Sequence, residues 1–95
     1  DIGYILAMAG RQREALNVVA EITASYRKGL DGAAGSAAIV LAGLNDRGGA
    51  FEWLDRALPT YDPVIGYLKV DPRFDNLRAD PRFEKLLVKV GLAEQ

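Results

Sequence analysis

The feature that most constrains this chain is an internal repeat. When the sequence is slid along itself by 35 residues, small and apolar residues fall on residues of the same kind. The aligned pairs are Leu6 and Leu41, Ala7 and Ala42, Gly10 and Asn45, Ala15 and Ala50, Leu16 and Phe51, and Val19 and Leu54. A period of about 34 residues is typical of helix–turn–helix units that stack on one another. The repeat therefore predicts two helical hairpins.

Hydrophobic periodicity supports a helix in each half of the repeat. In the segment LAGLNDRGGAFEWLDRAL at 41–58, apolar residues from Ala50 to Leu58 recur at three- and four-residue spacing, which lines one face of an α-helix. A similar stripe runs from Ala15 to Tyr26. The segment from Ala33 to Leu44 has no charged residue, so a helix there must be covered on most sides. It is too short to cross a bilayer, which needs about 20 apolar residues.

The last third of the chain contains the letters DPRF twice, at 71–74 and 80–83. Aspartate is a favoured N-cap, and proline at the first helical position has no N–H group to leave unpaired. We expect about one turn of helix after the first motif and a longer helix after the second. That longer helix carries an apolar stripe and is predicted to end at Gly91. The stripe consists of Phe83, Leu86, Leu87 and Val90.

Composition argues against catalysis and against several classes of ligand. The chain has no Cys and no His, which removes the usual nucleophiles, imidazole bases and transition-metal ligands. We therefore predict no enzyme activity, no cofactor and no metal site. Twelve basic residues against 13 acidic ones leave a net charge of −1, which favours neither nucleic acid nor a membrane as partner. The absence of Cys fits a cytoplasmic location.

Two motifs that could suggest ligand binding are better explained by structure. The glycines at 29, 32 and 35, followed by Ser36, lack the lysine of a phosphate-binding loop and indicate a flexible connection. The acidic residues Asp71, Asp75 and Asp80 lack the spacing of a calcium loop and fit helix capping. Trp53 could anchor a partner, but packing against Tyr67, Leu68 or Phe74 is the favoured interpretation.

The repeat resembles the tetratricopeptide repeat (TPR) family over roughly residues 2–60. The matching residues are Gly3, Ala38, Gly10, Asn45, Ala15, Ala50 and Ala57. The tail from Tyr67 to Leu92 looks like the closing segment of TPR regions at the C-terminal end of bacterial multidomain regulators. This resemblance implies that the chain, which opens on Asp1, is part of a longer signalling or transcription-regulating protein. Tyr4 and Ile39 stand where some relatives use asparagine to clamp a terminal carboxylate, so capture of such a tail is not expected.

The predicted fold is all-α and forms one domain over 1–95. Two stacked TPR-like hairpins, at about 2–28 and 33–60, precede a C-terminal capping segment at about 63–92. The resemblance implies a protein–protein interaction module that binds a protein or peptide on a surface lined by the first helices. The residues expected on that surface are Tyr4, Met8, Ile39 and Gly43. The alternative is a structural spacer or self-association element with no separate ligand.

The first predicted helix also suggests a homodimer. No charged residue occurs between Ile2 and Ala9, and the helix's own hairpin partner can cover only one of its sides. A terminal repeat normally needs a polar outer face to stay soluble. We therefore predict that this hairpin self-associates. The residues expected in the contact are Ile2, Tyr4, Ile5, Leu6 and Met8.

Overall fold

The computed structural model describes residues 1–60 and 62–93, and the side chains of this part as far as Gly91. Throughout the described residues every regular element is helical, which confirms the predicted all-α fold. The α-helices are α1 (Ile2–Met8), α2 (Gln12–Arg27), α3 (Ala33–Gly43), α4 (Arg47–Ala57), α5 (Asp75–Arg78) and α6 (Pro81–Ala93). Short 3₁₀ turns cover Leu58–Thr60, Pro63–Tyr67 and Pro72–Phe74. No helix in 1–60 or 62–93 is long and apolar enough to cross a membrane.

Two hairpins, α1–α2 and α3–α4, are built around the same turn. Gly10 and Asn45 occupy equivalent positions in the 35-residue repeat, and both have positive φ, 79° and 61°. In each turn the amide of the next residue donates to a carbonyl oxygen of the preceding helix at 2.9 Å. This arrangement satisfies carbonyl groups that a helix end leaves without partners. The two turns therefore have the same construction, as the internal repeat predicts.

The central element is α3, which packs against α1, α2 and α4. Nine of its residues are buried: Ala33, Ala34, Gly35, Ala37, Ala38, Ile39, Val40, Leu41 and Ala42. Most of these side chains are small, so neighbouring helices can approach closely from several directions. Burial on most sides is what the absence of charged residues predicts for this segment.

The beginning of α3 is capped from a distant part of the chain. Its N-cap residue, Gly32, has no side chain to accept a hydrogen bond. The buried carboxylate of Asp62 caps the helix instead, because its Oδ2 accepts a hydrogen bond from the N–H of Gly35 at 3.0 Å. The other oxygen, Oδ1, accepts from the N–H of Val64 at 3.0 Å. A Cβ atom on Gly35 would lie only 2.5 Å from Asp62 Oδ1. Glycine is therefore required for this close approach.

The two DPRF motifs form the same local structure. The carboxylates of Asp71 and Asp80 accept from the N–H of Arg73 at 2.9 Å and of Arg82 at 3.0 Å, as expected of N-caps. The guanidinium of each arginine also donates to the same carboxylate. The distance from nitrogen to oxygen is 2.7 Å from Arg73 to Asp71 and 2.8 Å from Arg82 to Asp80. These hydrogen bonds from Arg73 and Arg82 lower the pKa of both carboxyls, that of Asp80 to about 2.

A pH dependence of stability follows from the lowered pKa values. Because folding makes both carboxylates harder to protonate, their contribution is present above the ordinary pKa of 3.8 and is lost as the pH falls, towards about 2 for Asp80. We expect the difference in urea midpoint between the native chain and Asp80→Asn to shrink as the pH is lowered through this range. Asparagine keeps the cap but cannot titrate, so it is the matched variant. A difference that stays constant with pH would contradict this explanation.

The tail is an integral part of the fold. Its large apolar residues Phe74, Leu77, Phe83, Leu86 and Val90 are buried. The guanidinium of Arg82 lies 4.9 Å from the centre of the Phe51 ring, and Lys89 Nζ lies 3.1 Å from Asp55 Oδ1. Both contacts attach α6 to α4. The helix ends later than predicted, since it continues beyond Gly91 to Ala93.

The surroundings of Trp53 agree in part with the sequence-based expectation. Its ring meets that of Tyr26 edge-on, with centroids 5.0 Å apart, and the guanidinium of Arg56 lies 4.5 Å from its centre. Of the three residues expected to cover it, Leu68 and Phe74 belong to the core cluster against which Trp53 packs, while Tyr67 is exposed. Trp53 therefore joins the second hairpin to the first.

Candidate functional site

A groove of about 470 Å³ lies where α1, the end of α3 and the tail meet. Its size is within the range of ligand-binding pockets, and one side is open to solvent. It is lined by Tyr4, Met8, Ala42, Gly43, Asn45, Pro72, Arg73, Asp75 and Asn76. The groove therefore has one wall from the hairpins and one from the segment that follows the first DPRF motif.

The hairpin wall is largely apolar. Tyr4 is half-buried and packs against Gly43, where an added Cβ atom would lie 3.0 Å from Tyr4 Cδ1. A larger residue at position 43 would therefore push the ring away. Met8 is exposed beside it. An aromatic ring and a flexible thioether together offer a surface that adapts to apolar side chains.

The tail wall is polar and is anchored to α3 by an asparagine. The Nδ2 of Asn76 donates to the carbonyl oxygen of Ala42 at 2.8 Å and to Oδ1 of Asn45 at 3.2 Å. The Ala42 carbonyl belongs to the last turn of α3, where acceptors lack partners within the helix. Asn76 thereby fixes the width of the groove at this end.

The charged groups on the tail wall are already paired. Arg73 contacts Asp71, and Asp75 contacts Arg78. The hydrogen bonds that Arg73 donates to the carboxylate of Asp71 are the main cause that raises the pKa of Arg73. Arg78 also donates to the carbonyl oxygens of Leu68 and Asp71, at 3.2 and 2.7 Å. Paired charges leave the groove without a strong preference for an anion or a cation.

Three of the four predicted binding residues, Tyr4, Met8 and Gly43, line this groove together. The fourth, Ile39, is buried in the main core and does not line it. The reason lies in the tail, because the 3₁₀ turn at Pro72–Phe74 packs on α3 and Phe74 belongs to the same buried cluster. Ile39 is therefore closed off from a partner.

The residues predicted for self-association divide into two groups. Ile2, Ile5 and Met8 are exposed, while Tyr4 and Leu6 are half-buried. Leu6 packs on the small cluster of Ala7, Ala15 and Val40. An exposed apolar face therefore exists on α1, but it is narrower than the sequence suggests.

Sequence reasoning missed the tail wall of the groove. Arg73, Asp75 and Asn76 lie outside the 35-residue repeat, so the alignment that predicted Tyr4 and Gly43 could not include them. The first DPRF motif predicts a capped turn at 71–74. A local motif of this kind does not indicate which helix the turn packs against.

The chemistry available in the groove is apolar contact and hydrogen bonding. No group of three or more acidic, Cys or His side chains in the described part of the chain is placed to hold a metal ion. The charged side chains and Asn76 on the tail wall are engaged with other groups of the protein, while Asn45 is exposed at the rim. Such a surface is suited to recognition.

Comparison of the chain with family models, with curated proteins and with solved structures finds no match. The resemblance to TPR proteins thus rests on the residues of the internal repeat.

Proposed function

We propose that the chain is a protein-interaction module that binds a peptide segment of a partner in the groove between α1, α3 and the tail. The observation that carries this proposal is the joining of Tyr4, Met8 and Gly43 with the polar tail wall around one open groove. Stacked helical hairpins commonly bind proteins on such surfaces, because they hold side chains from several helices in fixed positions.

The two walls define the kind of peptide that fits. Tyr4 and Met8 favour one or two apolar side chains, and Met8 can change rotamer to suit their shape. Asn45 is exposed at the rim, where its amide can hydrogen-bond the peptide backbone. Since the Asp71–Arg73 and Asp75–Arg78 pairs satisfy the nearby charges, the peptide does not need a charged anchor. This differs from capture of a terminal carboxylate, which the sequence also argues against.

The resemblance to TPR regions extends the proposal to the biological setting. The chain would form part of a larger bacterial signalling or transcription-regulating protein in the cytoplasm. Catalysis would belong to other domains of that protein, and this domain would supply a partner-binding surface without a cofactor. The repeat period and the capped tail are the features that support this extension.

Selection of peptides tests the groove directly. A displayed library of random peptides of about a dozen residues would be selected on the full 95-residue chain. Met8 is the single methionine, so an isotope label on its methyl group gives one NMR signal from inside the groove. We expect selected peptides to contain apolar residues and to shift that signal. Peptides that bind without moving it would contradict the proposed site.

A matched pair of variants separates the groove from the rest of the surface. Met8→Glu places a carboxylate on the apolar wall, where a bound peptide would desolvate it. We expect it to weaken binding by at least about ten-fold, which corresponds to about 1.4 kcal/mol. Val88→Glu makes the same change on α6 at an equally exposed position outside the groove, and binding should be unchanged. Equal losses in the two variants would contradict the proposal.

A second candidate is a structural element that has no peptide ligand and packs through its N-terminal face. The observation in its favour is the exposure of Ile2, Ile5 and Met8 on a helix without charged residues. Failure to select any peptide that depends on Met8 would favour this second role.

A further inference from the structure

The internal repeat allows the exposed face of α1 to be compared with a buried face of α3. At the offset of 35 residues, Ile2 corresponds to Ala37 and Ile5 corresponds to Val40. Ile2 and Ile5 are 70% and 63% exposed, whereas Ala37 and Val40 are both 0% exposed. Positions that are fully covered in the second hairpin are therefore open in the first.

The residues that surround Val40 show which side chains can pack against such a position. Val40 belongs to a buried cluster with Ala7 and Ala15, which lie on the two helices of the preceding hairpin. It also lies beside Gly3, where an added Cβ atom would be 2.6 Å from Val40 Cγ2. Gly3, Ala7 and Ala15 thus form a notch of small residues that accepts a β-branched side chain. This notch is the contact through which the second hairpin stacks on the first.

We propose that the exposed face of α1, centred on Ile5 and extended by Ile2, is a docking surface for a further helical hairpin. The incoming hairpin would carry small residues at the positions equivalent to Gly3, Ala7 and Ala15. It would stack on α1 as the pair α1 and α2 stacks on α3. Ile5 would enter its notch in the way that Val40 enters the notch of the first hairpin.

The charge pattern and the occupied notch both favour this partner. Neither α1 nor α3 contains a charged residue, so the open face has the same character as the stacking face inside the chain. A second copy of the chain fits less well, because its own notch is already filled by Val40. Two copies meeting face to face would place Ile5 against another branched side chain without a notch to receive it.

Thiol labelling can test the docking surface, since the chain has no cysteine of its own. Ile5→Cys would be introduced into two proteins, the 95-residue chain and the same chain with an added copy of residues 1–35 before Asp1. The added copy supplies the notch already seen to hold Val40. Both proteins would also carry Ile2→Ala, because Ala37 stands at the equivalent position. We expect the thiol to react at least about ten-fold more slowly in the extended chain, since a covered group reacts only when the contact opens.

Two controls make the result specific. Val88→Cys, with the same 63% exposure on α6, should react equally fast in both proteins. Ala7→Leu made only in the added copy fills the new notch and should restore fast labelling at position 5. Circular dichroism would verify that each protein has the helix content of its parent.

Two outcomes would overturn the proposal. One is equal labelling of Ile5→Cys in the short and extended chains. The other is protection in the short chain that grows with protein concentration, together with a dimer in sedimentation equilibrium. That second outcome would identify another copy of the chain as the occupant, as the sequence alone suggested.

Discussion

Removal of residues 69–95 is expected to unfold most of the remaining chain. The deletion takes away Phe74, Leu77, Phe83 and Leu86, all of them buried. Full burial of such a side chain contributes about 1.5–3 kcal/mol, while a whole domain of this kind is stable by only about 5–15 kcal/mol. The deletion also exposes the apolar side chains of α3 and α4 that these residues cover. We expect loss of the cooperative thermal transition followed by circular dichroism.

Substitutions in the same segment provide the control for this deletion. Val70 and Val88 are exposed tail residues, so Val70→Ser and Val88→Ser should change stability by no more than about 0.5 kcal/mol. An unchanged thermal midpoint after the deletion would show that the tail does not stabilise the hairpins.

The second large effect is expected at Asp62. Asp62→Ala leaves the N–H groups of Gly35 and Val64 without their acceptor, and each such buried donor costs about 1–3 kcal/mol, so we expect a total of about 2–6 kcal/mol. Asp62→Asn has only one acceptor oxygen for the two donors and should lose about half as much. Urea unfolding followed by the fluorescence of Trp53, the single tryptophan, measures the series.

An exposed aspartate gives the comparison for Asp62. Asp55 makes a surface ion pair with Lys89, so Asp55→Ala should cost no more than about 1 kcal/mol. Gly35→Ala offers an independent test, because its methyl group would lie within contact of the Asp62 carboxylate and force the two apart. If Asp62→Ala were no more destabilising than Asp55→Ala, the proposed role of this carboxylate in holding α3 would be wrong.

The parts of the fold that obey local rules were predictable from the sequence. The turn residues Gly10 and Asn45 and the N-caps Asp71 and Asp80 act on neighbours within a few positions along the chain. Helical periodicity has the same short range, which is why the hairpins were recognisable. The contact of Asp62 with Gly35 joins residues 27 positions apart, and no local sequence pattern predicts it.

Only the hairpin wall of the candidate site was predictable from the sequence. Tyr4, Met8 and Gly43 follow from equivalent positions in the two hairpins, whereas Asn76 reaches the groove because the tail folds back on α3. The same folding back buries Ile39, which an isolated pair of hairpins would leave more open. The burial of Ile39 and the omission of Asn76 thus have one physical origin, the docking of a segment outside the repeat.

The distant cap on α3 also bears on the order in which the chain can acquire structure during synthesis. The first hairpin contains its own cap, since Asp1 accepts from the N–H of Gly3 at the start of α1. By contrast, α3 leaves the ribosome 27 residues ahead of the carboxylate that caps it. Until Asp62 has also been synthesised, the first N–H groups of α3 have only water or local groups as hydrogen-bond acceptors. The second hairpin therefore cannot reach its final capped form before the segment that follows it is present.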